Sequence, residues 1–218
     1  MLKTILESFI RKTPAYSTIR WLADSRKMQK WKRDNCPVPP PQAYKHAEIR
    51  NYAQRYGLRV LVETGTFRGD TLFATRNDFD RLYSIELGEK LYLQAQKRFK
   101  SYPNVTILQG DSAKVLPSVL KELSGPALFW LDGHYSGGIT ADSAEKPPIE
   151  AELEAILAHD NKKHVILIDD ARLFEGQPEG YPSISATREF ILQRHPAASF
   201  DLAHDIIRVC LSPMTPKL

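Results

Sequence analysis

From residue 58 onward the chain alternates short β-branched runs with helical stretches, and this alternation restricts its fold more than any other feature. The runs 59–63, 82–86, 105–109, 127–131 and 164–168 are each followed by a turn bearing Gly or Asp and then by helical periodicity. Parallel strands require such crossovers, so the repeated unit predicts a doubly wound, mostly parallel α/β sheet. The pattern breaks at the end. The runs 199–203 and 206–211 are separated only by His204-Asp205, a spacing that forces an antiparallel hairpin.

Charge divides the chain differently. Residues 1–50 hold eleven Lys/Arg and four Asp/Glu, whereas the remainder is slightly acidic, so the formal net charge of +4 comes from the N-terminal segment and the body is not expected to bind nucleic acid. Leu2, Ile5, Leu6, Phe9 and Ile10 share one helical face in this segment, Thr13-Pro14 ends that helix, and a basic aromatic stretch runs on through Tyr16, Ile19, Trp21, Leu22 and Trp31 to the prolines at 37 and 39–41. We divide the chain into a basic amphipathic segment, 1–44, and a body, 45–218. The segment reads either as a lid or homo-oligomer contact packed on the body, or as a peripheral foot on anionic lipid. No apolar run is long enough to span a bilayer, no signal peptide is recognisable, and Cys36 and Cys210 form no metal or disulfide pattern; a cytoplasmic setting, at most at the inner face of the membrane, fits.

In open α/β sheets ligands sit at the carboxyl ends of the strands. The first run leads into Glu63-Thr64-Gly65-Thr66-Phe67-Arg68-Gly69-Asp70-Thr71, in which two glycines four apart allow a tight turn beneath a ligand and Asp70 or Thr71 can cap the next helix. The three-glycine pyrophosphate spacing is absent, which disfavours a nicotinamide cofactor. Glu86 ends the second run, where a carboxylate can take both ribose hydroxyls, and Gly110-Asp111-Ser112 after the third can meet an adenine edge. Each feature alone also fits plain structure; together, in this order, they specify a nucleoside site.

The fourth run ends in Asp132-Gly133-His134-Tyr135 and the fifth in Asp169-Asp170-Ala171-Arg172. Adjacent parallel strands end about 5 Å apart, so Asp132, Asp169 and Asp170 should converge, and close carboxylates repel unless protonated or shared by a cation. Hard oxygen ligands select Mg²⁺. A tandem Asp also has a plain reading, in which one caps a helix and the other faces solvent. His134 is placed to accept a hydroxyl proton near neutral pH, and reads equally as a loop histidine bonded to the backbone. Gly137-Gly138 and residues 139–147 read as a loop over an acceptor, ended by Pro147-Pro148 at a helix whose buried face is Ile149, Leu153, Ile156 and Leu157; Tyr135, Arg172 and Tyr181 are candidates to line the acceptor pocket.

Over residues 58–212 the sequence resembles class I S-adenosylmethionine-dependent methyltransferases. Residues 63–69 look like that family's first motif, Glu86 like its ribose acid and 110–112 like its adenine motif; Thr64 after Glu63 departs from it, leaving open whether Glu63 meets the methionine end or orders the loop. The resemblance implies that Glu63, Gly65, Thr66, Gly69, Thr71, Glu86, Asp111 and Ser112 hold S-adenosylmethionine. The Asp-Gly-His and Asp-Asp motifs are similar to those of metal-dependent sugar O-methyltransferases of macrolide and aminocoumarin biosynthesis, which implies a carbohydrate or comparable hydroxyl acceptor, Mg²⁺ on Asp132, Asp169 and Asp170, and catalysis by His134 with Asp132. The alternatives are a metal-independent methyltransferase of a small molecule or protein side chain, and a catalytically silent membrane-associated scaffold.

Overall fold

A computed structural model describes residues 14–132, 147–175 and 180–212, with side chains from residue 22. Among the described residues two helices, α1 (Pro14–Arg33) and α2 (Gln42–Tyr56), precede the sheet. The body then runs β1 (Val60–Thr64), α3 (Asp70–Thr75), β2 (Arg81–Glu86), α4 (Glu89–Phe99), β3 (Val105–Gln109), α5 (Ser112–Glu122), β4 (Leu128–Leu131), α6 (Ile149–Ala158), β5 (Val165–Ile168), a 3₁₀ turn (Ala171–Leu173), α7 (Ile184–Arg194), β6 (Ser199–Ala203) and β7 (Ile206–Cys210). The expected strands are all present, their ends shifted by at most one residue.

The strand order is β3-β2-β1-β4-β5-β7-β6, parallel from β3 to β5, with β7 antiparallel to both β5 and β6. This is the expected doubly wound, Rossmann-like sheet with an antiparallel finish. His204 and Asp205, at φ 48° and 66°, supply the two left-handed residues that a two-residue hairpin turn needs, without the usual glycine.

Both faces of the sheet are covered, and side chains alternate between two cores. Val62, Phe129, Ile166 and Val209 pack with Leu116 and Leu120 of α5, Leu153 and Ile156 of α6 and Ile191 of α7. Leu61, Leu128, Trp130 and Leu167 face the other way, against Ile49 and Ala53 of α2, Leu72 of α3 and Phe99 of α4. Ile149, Leu153, Ile156 and Leu157 are the expected buried face of α6, which starts after Pro148. Among the described residues no helix is long and apolar enough to cross a membrane.

The amino ends of β4 and β5 are closed by histidines. His164, fully buried, accepts a hydrogen bond from the Ala127 N–H on Nδ1 at 3.0 Å, so its Nε2 donates to His159 Nδ1 at 2.8 Å. Burial, aided by His159, depresses its pKa to about 4.

Candidate functional site

At the carboxyl ends the register does much of the assembly. Thr64 pairs with Leu131 and Leu131 with Ile168, so Asp132 and Asp169, each one residue past its strand, are neighbours by construction. The ladder continues into both, Asp132 N–H bonding Thr64 O at 3.1 Å and Asp169 N–H bonding Leu131 O at 3.0 Å. Asp170 follows in a left-handed conformation, φ 54°, unusual for a non-glycine residue. Its N–H donates to Asp169 Oδ1 at 2.8 Å. One oxygen of each of the three carboxylates lies within 4.8 Å of the others, the convergence expected from the sequence.

Among the described residues, two cations meet these acids. Lys45, on α2 and 5% exposed, donates from Nζ to Asp169 Oδ2 at 2.5 Å and to Asp170 Oδ1 at 3.3 Å. Arg172 Nη1 donates to Asp170 Oδ1 at 2.8 Å and also bonds Asp205 in the β6–β7 turn, whose Oδ1 accepts the Arg172 N–H at 2.8 Å. Burial and the charges of Asp132 and Asp170 push Asp169 up to about 7 against the pull of Lys45. Burial alone would lower Lys45, but Asp169, Asp170 and Asp132 together hold its ammonium above the ordinary lysine value. The two shifts are compatible: both reflect more negative than positive charge in a poorly solvated place.

On the nucleoside side, Gly65 (φ 86°) turns the chain out of β1, and the Gly65 N–H bonds Ile85 O at 3.0 Å. Gly69 (φ 69°) is the N-cap of α3, where an added Cβ would lie 2.6 Å from Phe99 Cε2. The cap is therefore Gly69, not Asp70 or Thr71 as expected: the left-handed turn puts Asp70 already inside the helix, and it pairs with Arg98 at 3.0 Å. Glu86, 4% exposed, accepts the Phe67 N–H on Oε2 at 2.7 Å and the Gly88 N–H on Oε1 at 2.9 Å, which leaves each oxygen a second lone pair for a hydroxyl.

Glu63 lies under the loop, 2% exposed. It accepts the Ser84 hydroxyl at 2.5 Å, Ser84 is in turn 2.6 Å from Thr66 Oγ1, and Thr71 adds a further hydrogen bond. Burial pushes its pKa up to about 8, against the pull of Ser84. Its contacts order the loop. Asp111 caps α5 by accepting the Ala113 N–H at 3.0 Å, and the buried Ser112 begins that helix.

Beside the acid cluster lies a small cavity of about 20 Å³, lined by Leu131, Asp132, Ile149, Glu152, Ile168, Asp169, Leu173, Phe174 and Tyr181. Phe174 and Tyr181 form an aromatic wall, ring centroids 5.3 Å apart. A larger open groove of about 850 Å³ runs along α7 past Ser183, Arg188 and Gln193 but includes no strand-end residue. His134, Tyr135, Gly137-Gly138 and most of their loop lie outside the described residues, as does the apolar face of residues 2–10.

Lys45 and Glu152 were not anticipated. Glu152 is 1% exposed, lies near Ser112 and Thr64, and is pushed up to about 7 by burial. A signal existed for both. Glu152 falls among Ile149, Leu153 and Ile156 on the apolar face of α6, and Lys45 precedes the buried Ile49 by one helical turn; a charged residue at an apolar-face position marks a buried partner or a site.

No family model matches the chain, and no curated protein does. Solved structures do. The O-methyltransferase TomG from Streptomyces achromogenes, involved in tomaymycin synthesis and solved with S-adenosylmethionine, is 18% identical with a TM-score of 0.58, over 87% of this chain and 89% of that one. An O-methyltransferase from Bacillus cereus, solved with S-adenosylhomocysteine, is 17% identical with a TM-score of 0.56, over 86% and 90%. The 23S rRNA methyltransferase ErmE is 13% identical with a TM-score of 0.52, over 80% and 70%. Neighbours with such different acceptors show what is shared: the chain has the class I methyltransferase fold.

Proposed function

We propose that the protein is an enzyme that transfers the methyl group of S-adenosylmethionine to a hydroxyl oxygen of a sugar, glycan or related small molecule, with Mg²⁺ held by Asp132, Asp169 and Asp170. The observation that carries this reading is the sheet register, which sets three carboxylates beside the strand ends bearing Gly65, Glu86 and Ser112. The residues fit the groups: Glu86 keeps acceptor capacity for ribose hydroxyls, the loop backbone is free of Cβ at Gly65 and Gly69, and the acid cluster offers hard oxygen donors. S-Adenosylmethionine supplies an electrophilic sulfonium methyl, and a divalent ion lowers the pKa of a hydroxyl at its side.

The chain's own residues then do the rest. Glu63, Ser84 and Thr66 fix the loop beneath the nucleoside. His134 accepts the acceptor's proton, and Asp132 orients the hydroxyl for in-line attack. Tyr181, half-buried against the buried Phe174, offers an aromatic face to the C–H face of a sugar ring. One observation favours the second reading, methyl transfer without metal: Lys45 already brings positive charge to the acids.

Labelled S-adenosylmethionine, a panel of nucleotide sugars and glycans, and Mg²⁺ or chelator separate the readings. We expect turnover that chelator abolishes, that Asp169→Asn loses while S-adenosylhomocysteine still binds, and that falls by about 10²–10⁴ in His134→Ala. Chelator-resistant turnover would select the metal-independent reading. Binding of S-adenosylhomocysteine with no turnover on any acceptor would select the scaffold.

For the N-terminal segment, the burial of Trp31 against Tyr44 and His204 supports a lid, while the exposed Arg26, Lys27, Lys30 and Arg33 on the outer side of α1 support contact with anionic lipid. Cosedimentation with phosphatidylserine vesicles that is lost in R26E/K30E/R33E would select the lipid contact.

A further inference from the structure

The charge partner of the acid cluster comes from outside the α/β units. Lys45 stands in the first turn of α2, and its ammonium ends against Asp169 and Asp170 with side-chain exposures of 7% for Lys45, 1% for Asp169 and 5% for Asp170. A buried ammonium is costly unless paired, and here both carboxylates supply the pairing. Its neighbour His46 and the next inward residue, Ile49, are also buried, so the helix holds the lysine stem in place. Arg172 takes the opposite side of Asp170 together with Asp205. Lys45 thus bonds two of the three clustered carboxylates, those of Asp169 and Asp170, and lies within the field of the third, Asp132.

We propose that Lys45 is a resident, exchangeable cation of this cluster: its ammonium fills the position in which the three carboxylates would share a divalent ion, and that ion enters only by displacing it. The inference rests on the metal-assisted reading of the site. An ammonium and a divalent ion a few ångströms apart in a poorly solvated cluster repel, so each weakens the hold of the acids on the other. Lysine suits the part, being a single point charge on a flexible stem that can swing away, where arginine would lock the acids in a planar fork. The consequence is a cluster that stays assembled without metal and whose affinity for divalent ions is held down by its own lysine.

Calorimetric titration of the full chain with Mn²⁺ tests this. Lys45→Met should bind Mn²⁺ at least about tenfold more tightly than the wild type, and Lys45→Arg, which keeps the charge, should show no such gain. Lys45→Gln, neutral but polar, should match the methionine variant and serves in its place if that variant does not fold. Equal affinity in wild type and neutral variants, weaker binding in the variants, or no binding in any of them would overturn the proposal. Binding in the neutral variants with none in the wild type would uphold it while refuting a metal requirement for the native enzyme, so the two readings fail separately.

Discussion

The two ends of the central strands are built from the same sequence pattern and solve burial in opposite ways. At the amino ends of β4 and β5, His164 is buried, neutral and bonded on both ring nitrogens, to Ala127 N–H and to His159. At the carboxyl ends, Glu63, Glu152 and Asp169 are buried acids whose pKa values all rise, and Phe67 and Asp170 hold left-handed backbone. One end is satisfied; at the other, desolvation makes buried acids hold their protons and the backbone is left-handed at two non-glycine residues.

The contrast can be broken most sharply with pH. Between 4.5, its ordinary value, and about 8, Glu63 keeps its proton when folded and loses it when unfolded, so the native state binds more protons and stability falls as pH rises through this window. The shift corresponds to about 3–5 kcal/mol as an upper range. Glu63→Gln should flatten the profile of urea stability from pH 5 to 8; an unchanged slope would show that Glu63 is ionised in the folded protein. At the other end the sign reverses. His164 stays neutral when folded down to about 4 while the unfolded ring protonates near 6.5, so its contribution is lost as pH falls through that window.

A smaller effect is expected from removing the satisfied end itself. His164→Ala leaves the buried Ala127 N–H without its acceptor and empties the space beside Phe129, whose ring centroid is 5.0 Å away. A loss of about 2–4 kcal/mol in urea unfolding, with S-adenosylhomocysteine affinity unchanged in the folded protein, is the expected result. A change in that affinity would mean that the two ends are coupled. The smallest effect is at the ligand end: Glu86→Ala should weaken S-adenosylhomocysteine binding by roughly 1–3 kcal/mol through lost charge-assisted hydrogen bonds, measured by calorimetry. Unaltered binding would remove Glu86 from the ribose role.

The acid cluster illustrates how far linear sequence reaches. Asp132, Asp169 and Asp170 could be brought together on paper because adjacent parallel strands end side by side, and the observed register does bring them together. Glu86 could be set at the end of β2 for the same reason. Asp205 could not be assigned to the site, since its bond to Arg172 depends on the hairpin turn folding back over the 3₁₀ turn. Nor could Lys45, 124 residues from Asp169: its place one helical turn before Ile49 could mark it as buried, but not say which acids it would meet.

The sequence by itself determined the alternation of strands and helices, the antiparallel finish and the polar residues at each strand end, because these follow from local periodicity and from the short reach of a two-residue turn. Only the tertiary structure decided which charges those residues meet. Whether Glu63 keeps a proton, whether Gly69 caps a helix against Phe99, and which cation faces Asp169 depend on groups from distant parts of the chain and on how little water remains between them. Electrostatic energy in a protein interior is set by distance and solvation, and neither is a property of the order of residues along the chain.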